Sequence, residues 1–369
     1  MKYRYIVFVI AAAVLLGGCR DASGGAQPPD DAAQEMRGVW VSYLDLDALL
    51  NGADPSTAES RLDRLLDTCL EQGMNTVFFH VRAHSDAYYR SDVFPAADAA
   101  AALLDNGFDP LAYAVKAAHT RALSLHAWIN PYRIGEDRSR AVVDDRRVFE
   151  QDGTWYYDPS DDDARCKVLD GVREILDRYA VDGIHFDDYF YPDGMPTQAT
   201  SFEEIPSGVT VGDWRRWQVD ALISAVYDLT HARARLFGVS PTALIQTNRE
   251  KAYADVALWL RQGGYVDYIC PQIYFGFSHA TNPFASSLAQ WQALPRRPDV
   301  ALYIGLALYK AGLPDNFAAR GANEWCEHDD IIARQVQAAR QSGADGFVLF
   351  RYAHLTDAAQ EMTHLKELL

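Results

Sequence analysis

Residues Asn75–Arg82 read NTVFFHVR. Successive residues of a strand point to opposite faces, so the stretch splits in two. Val77, Phe79 and Val81 form one face, and Thr76, Phe78, His80 and Arg82 form the other. One face is aliphatic, and the other mixes rings with polar groups. This is the pattern of a barrel strand, which packs one face under helices and turns the other into the lumen. Ser124–Tyr132 (SLHAWINPY) repeats it, separating Leu125, Ala127 and Ile129 from Ser124, His126, Trp128 and Asn130. So does GIHFDDYF from Gly183, which separates Ile184 and Phe186 from His185 and Asp187.

Outward from these three, the chain continues the alternation of strand and helix. Gly38–Tyr43 precedes them as the first strand. Leu236–Pro241, Asp267–Phe275, Ala301–Tyr309 and Gly346–Tyr352 follow as the fifth to eighth. Helical stretches fall at Ser56–Gln72, Pro110–Arg121, Arg165–Tyr179, Trp214–Ala234 and Thr356–Leu369. Eight strands with intervening helices predict an α/β fold, a single-domain (β/α)8 TIM barrel over residues 36–369, with insertions after strands three and four. An open doubly wound sheet would carry a glycine-rich phosphate turn after its first strand, and SYLDLDALL is no such turn. Trp214 and Trp217 open a helix and are expected to pack.

The 369 residues are 49% hydrophobic and 23% charged, enough for a sizeable core. A net charge of −17 excludes a basic nucleic-acid footprint. Lys2 and Arg4 precede an apolar run, Tyr5–Leu16, which is short for a membrane span. Gly17 and Gly18 then lead into Cys19. Residues 1–18 therefore read as a lipoprotein signal peptide, with Cys19 as the lipidated mature terminus anchoring the chain to a membrane. An ordinary signal peptide with an incidental cysteine is the alternative. Residues 19–35, rich in Gly, Pro, Ala and Asp, read as a flexible tether. Cys69, Cys166, Cys270 and Cys326 show no zinc spacing and are expected to be free thiols. No metal or cofactor is expected from the spacing of His, Asp and Glu.

Barrel enzymes build their sites at the C-terminal ends of the strands. There this sequence places Trp40, Tyr43, His80, Arg82, Trp128, Asn130, Tyr132, Arg133, His185, Gln272, Tyr274 and Arg351. Rings stack on the apolar faces of sugars, while amides and guanidinium groups bind hydroxyls, so these are candidate glycan contacts. His80 reads equally well as a lumen histidine satisfied by the protein. Asp187 and Asp188 are the clearest carboxylates at a strand end and the candidate catalytic pair. Elsewhere such a pair marks a turn or a helix cap, as at Ser160–Asp163, which reads as the start of the next helix.

RGVWVSY, NTVFFHVRAHSDAYYRSDVFP, AWINPYR, GIHFDDYFYP, GVSP and YICPQIYF together resemble the glycosyl-hydrolase-like family 10, bacterial TIM-barrel proteins that are often lipoproteins. The resemblance runs from Arg37 to about Tyr352. One departure follows GVSP, where TALIQTNREKAYADV replaces an aromatic- or glycine-led WRN segment. The resemblance implies a cell-envelope glycosidase acting on peptidoglycan glycan strands, including denuded strands without stem peptides. It implies a site containing Asp187 and Asp188, with Asn130, Tyr132 and Arg133 of NPYR and Gln272 and Tyr274 of PQIY. A location on the outer membrane facing the periplasm (Gram-negative) or the outer face of the plasma membrane (Gram-positive) is expected, with division or envelope-remodelling partners.

Two mechanisms fit these residues. In the first, Asp188 is the general acid, Asp187 orients a neighbour or tunes its partner's pKa, and the substrate's own N-acetyl oxygen attacks. In the second, Asp187 is the nucleophile and Asp45 or Glu136 supplies the proton. A catalytically inert glycan-binding scaffold is the reading from another class.

Overall fold

The computed structural model describes residues 35–144, 147–196, 198 and 203–369. The stretch expected to hold a signal peptide, a lipidated Cys19 and a tether lies, up to Gln34, outside the described residues. Strands β1 (Met36–Val41), β2 (Thr76–Arg82), β3 (Ser124–Ile129), β7 (Gly183–Phe186), β8 (Leu236–Val239), β9 (Tyr268–Ile269), β10 (Ala301–Leu306) and β11 (Gly346–Phe350) close into one parallel barrel. Their spatial order is their chain order, with β11 returning to β1. Three short strands, β4 (Arg133–Gly135), β5 (Val148–Gln151) and β6 (Thr154–Tyr157), form a separate antiparallel sheet in the chain between β3 and β7.

The two strand faces separate as alternation requires. Val77, Phe79, Val81, Leu125, Ala127, Ile129, Ile184 and Phe186 join helix residues in one apolar shell outside the barrel. Trp40, Phe78, Trp128, Tyr268 and Val348 form a second cluster in the lumen. Large lumen rings fit because facing positions are small. A Cβ on Gly238 would sit 2.1 Å from the Tyr268 ring, and one on Gly183 would sit 2.6 Å from His126. The lumen is a packed core, and the rings it holds form the floor beneath the mouth.

Several strands are shorter than the sequence suggests, for identifiable reasons. β9 stops after two residues because Pro271 has no N–H for the ladder, although Gln272 regains isolated bridges to Thr242 and Gly305. β7 ends at Phe186, so Asp187 and Asp188 lie just past the ladder. Asp161 caps the helix Asp162–Arg178 by accepting from Ala164 N–H at 2.9 Å, so Ser160–Asp163 is indeed a helix start. Trp217 differs from expectation: it is 53% exposed, because it falls on the outer face of the helix Val211–His231. Cys69, Cys166, Cys270 and Cys326 are unbridged.

At the opposite end of the barrel a device recurs on alternate strand pairs. The residue before a strand accepts a hydrogen bond from the second residue of the preceding barrel strand. Asn75 accepts from Arg37 N–H at 2.9 Å, and Asp182 from Leu125 N–H at 2.7 Å. Asp267 accepts from Phe237 N–H at 2.7 Å, and Asp345 from Leu302 N–H at 2.8 Å. These four clamps fix register where each strand begins. They form a fourfold repeat in structure that the sequence does not advertise. In the three aspartate clamps the bond is charge-assisted and contributes about 1.5–3 kcal/mol. Asp267→Ala and Asp345→Ala should each lower unfolding free energy by about that amount in urea titration, with Asp267, the less exposed, costing more.

Candidate active site

The mouth is built around the two aspartates. Asp187 is 3% exposed and accepts from the Trp128 indole N–H at 3.0 Å and from Tyr189 N–H at 3.3 Å. Trp128 is held flat by His80, whose ring stacks on it at 3.6 Å with a 9° tilt. His80 in turn accepts from Tyr43 N–H at its Nδ1, which puts the ring hydrogen on Nε2. That Nε2 has no partner among the described residues. Burial first, then neighbouring His84 and Arg133, keep His80 neutral.

Asp188 is half-buried, and the chain turns immediately after it, with Phe190 N–H donating to its carbonyl at 3.0 Å. The turn lets two consecutive residues share one side of the mouth. Burial pushes the Asp187 carboxyl up to about 8, and the adjacent Asp188 charge pushes in the same direction. The Trp128 and Tyr189 N–H groups and the Arg133 charge oppose that shift. Asp188 is pushed up to about 6 by burial, offset by its own backbone and by the Gln272 side chain. Two such groups titrate as a pair, which holds one proton and one charge from roughly pH 6 to 8.

The candidate contacts fall into two groups. Tyr43, Arg133, Gln272, Tyr274 and Arg351 are partly open at the mouth. Gln272 donates to Ser240 O at 2.8 Å, and Tyr274 packs against Phe350 and Tyr309. The other group is sealed. Trp40 and His185 lie in the lumen, where Trp40 Nε1–H donates to His185 Nε2 at 3.1 Å. His185 then donates through Nδ1 to Tyr268 O at 3.1 Å, and Tyr268 O–H donates to His126 Nδ1 at 2.9 Å. His185 thus touches protein on every side and supports the floor; it is not placed to meet a ligand. Asn130 is buried beside Arg82, and Tyr132 belongs to the outer apolar shell. Arg82 departs from strict alternation because the register between β2 and β3 shifts between His80 and Arg82. Its guanidinium lies over Phe94 and donates to Pro131 O at 2.9 Å, bracing the loop above the strand.

The two alternative acids are placed differently. Asp45 is buried, accepts from both Ser42 groups and pairs with Arg351. Glu136 is exposed on the rim. Two hollows open near the mouth, and the second reaches Asp188. One, of about 440 Å³, is lined by Tyr43, His84, Arg133 and Glu136. The other, of about 470 Å³, is lined by Asp188, Tyr189, Tyr156, Thr242, Lys251 and Gln272. Sequence reasoning missed Tyr189 and Tyr156. Tyr189 follows the Asp pair directly, which was a usable signal; Tyr156 reaches the site only because β5 and β6 fold over it.

The closed parallel barrel, its packed aromatic floor and its polar mouth define a (β/α)8 domain of the kind that carries a site at the C-terminal ends of its strands. The chain belongs to the Glycosyl hydrolase-like 10 family, whose model matches residues 35–323. It is 29% identical over 375 residues to the glycosyl hydrolase DigH of Escherichia coli K12, covering 85% of each chain. It is 31% identical over 350 residues to the glycosyl hydrolase YngK of Bacillus subtilis, covering 84% of this chain and 66% of that one. In fold it is similar to the glycoside hydrolase domain of PgaB (BpsB) from Bordetella bronchiseptica, with TM-score 0.63, 13% identity, and 91% and 98% of the two chains covered.

The raised Asp187 makes a stability prediction with a definite sign. Below about pH 4 the carboxyl is protonated in folded and unfolded chains alike and costs nothing. As pH rises toward about 8 the folded state must hold a proton that the unfolded state has released, so stability falls. Asp187→Asn keeps an acceptor for Trp128 without that penalty. It should melt a few degrees above wild type at pH 7.5 and level with it below pH 4, by calorimetry.

Proposed function

We propose that this chain hydrolyses glycosidic bonds in peptidoglycan glycan strands, acting on denuded strands through Asp187 and Asp188. The observation that carries the reading is two adjacent carboxyl groups just past the end of β7, Asp187 buried against the Trp128 indole and Asp188 opening into a polar hollow. Family membership supports the reaction class, and the sequence resemblance supports the substrate. Cys19 would tether the domain to a membrane of the envelope, within reach of that polymer.

Glycoside cleavage needs a proton for the departing oxygen and a stabiliser for the positive charge at the anomeric carbon. Asp188 opens to a hollow and is the donor in this scheme; Asp187 sits behind it, held by Trp128. Once substrate displaces water, the shared proton passes to Asp188 and leaves Asp187 charged. The Asp187 carboxylate then accepts from the acetamido N–H of the sugar, and the acetamido oxygen attacks the anomeric carbon. Water later opens the cyclic intermediate, with Asp188 now the base, and the product keeps its anomeric configuration. The competing scheme, in which Asp45 is the acid, loses support because Asp45 is held by Arg351 and Ser42.

Purified protein should cut amidase-treated peptidoglycan into fragments resolved by mass spectrometry. Asp188→Asn should lower the rate by roughly 10²–10⁴-fold, and Asp187→Asn by a similar factor. Binding without any cleavage would favour a scaffold. An inverted product would exclude the acetamido route. The rate should follow a bell, falling below about pH 6 as the pair takes a second proton and above about pH 8 as it loses its last.

A further inference from the structure

Tyr189 links the two hollows. It lines one of them with Asp188, and the Arg133 guanidinium, which lines the other, rests over its ring 5.4 Å from the centroid. Its N–H also holds Asp187. Arg133 belongs to the hollow made by the loops after β1, β2 and β3, with Tyr43, His84 and Glu136. Of the two hollows, the second alone reaches Asp188, the proton donor assigned above. That second hollow suits an uncharged unit of a polymer. Its one cation, Lys251, is paired with Asp193 at 3.2 Å, and Asp152 accepts from the Gln151 amide at 2.9 Å. Tyr156 and Tyr189 supply ring surface, and Thr242 and Thr247 supply hydroxyls. Tyr191, 2% exposed, also lines it and has a hydroxyl with no partner among the described residues. Rings beside neutral donors and acceptors match the faces and hydroxyls of a sugar. Thr242, Thr247, Lys251 and Ala252 all come from TALIQTNREKAYADV, the segment in which the sequence departs from its family.

Direction follows from the proton. As the bond to the anomeric carbon breaks, the departing oxygen takes the proton, and that oxygen belongs to the sugar on the reducing-end side. The retained sugar is the one whose acetamido group meets Asp187. Asp187 lines neither hollow, so the retained sugar sits over the aspartates themselves, and the leaving sugar continues into the hollow that Asp188 enters. We propose that this hollow is the leaving-group subsite. The strand then crosses the mouth in one direction, with its reducing end over β5, β6 and the helix Ile245–Glu250 and its non-reducing end toward the loops after β1, β2 and β3. The inference rests on the glycosidase reading given above, with Asp188 as donor. It makes the choice of leaving sugar the task of a segment in which this chain differs from its family.

The test reads direction from bound ligand, with Asp188→Asn protein so that the ligand survives. Two hexasaccharides of the glycan strand carry a photoreactive diazirine, one at the reducing end and one at the non-reducing end. Cross-linked peptides are identified by mass spectrometry. The reducing-end probe should label residues 151–157, 189–193 or 242–252, and the other probe residues 84–88 or 133–140. Thr247→Trp fills the hollow from its helix and should weaken binding of either hexasaccharide about tenfold or more by calorimetry. Lys251→Trp, at an exposed position on the same wall, should do the same. Reversed labelling, both probes on one side, or undiminished binding in both tryptophan variants overturns the subsite inference and leaves the glycan-strand reading standing. Binding of neither hexasaccharide removes that reading, and the inference with it.

Discussion

Asp187 accepts the Trp128 indole N–H at 3.0 Å in a place almost closed to water. Much of the mouth is organised by that contact. A buried carboxylate without compensation is costly, and protonation is the cheaper state. The indole satisfies one oxygen in either protonation state, and Asp188 beside it discourages a second charge. The chemistry of the pair thus follows from where β7 stops, one residue short of Asp187.

The lumen beneath makes that position exact in space. Trp128 cannot rotate, because His80 covers its face, and His80 is held by the Tyr43 amide. Below them runs the chain of donors from Trp40 through His185 and Tyr268 to His126, every ring enclosed. Burial keeps His80 and His185 neutral, so the floor adds no charge to perturb the pair. Facing glycines such as Gly238 admit rings of this size, and the clamps formed by Asp182, Asp267 and Asp345 fix strand register at the far end. A slip of one residue would put His185 among the helices and Ile184 in the lumen.

Much of this was legible in the sequence, and the limits have physical causes. Period-two alternation revealed the barrel and the outward faces of β2, β3 and β7, because each is buried on both sides by different chemistry. The Asp pair stood out because aromatics flank it. Alternation was silent about depth: Trp40 and His185 share a face with mouth residues yet lie below them. It also failed where the ladder becomes irregular, at the shift that redirects Arg82 and at Tyr132 beyond Pro131. The walls supplied by β5 and β6 come from a long insertion whose fold over the mouth no local pattern encodes.

The central claim is that the aspartate pair holds a single proton across neutral pH. Infrared difference spectroscopy of the protonated carboxyl C=O stretch, titrated from pH 4 to 9 against Asp187→Asn, reads it directly. The account predicts a band assignable to the pair that halves near pH 6 and persists until about pH 8. Complete loss of that band by pH 5, with both carboxyls ionised together, would contradict it.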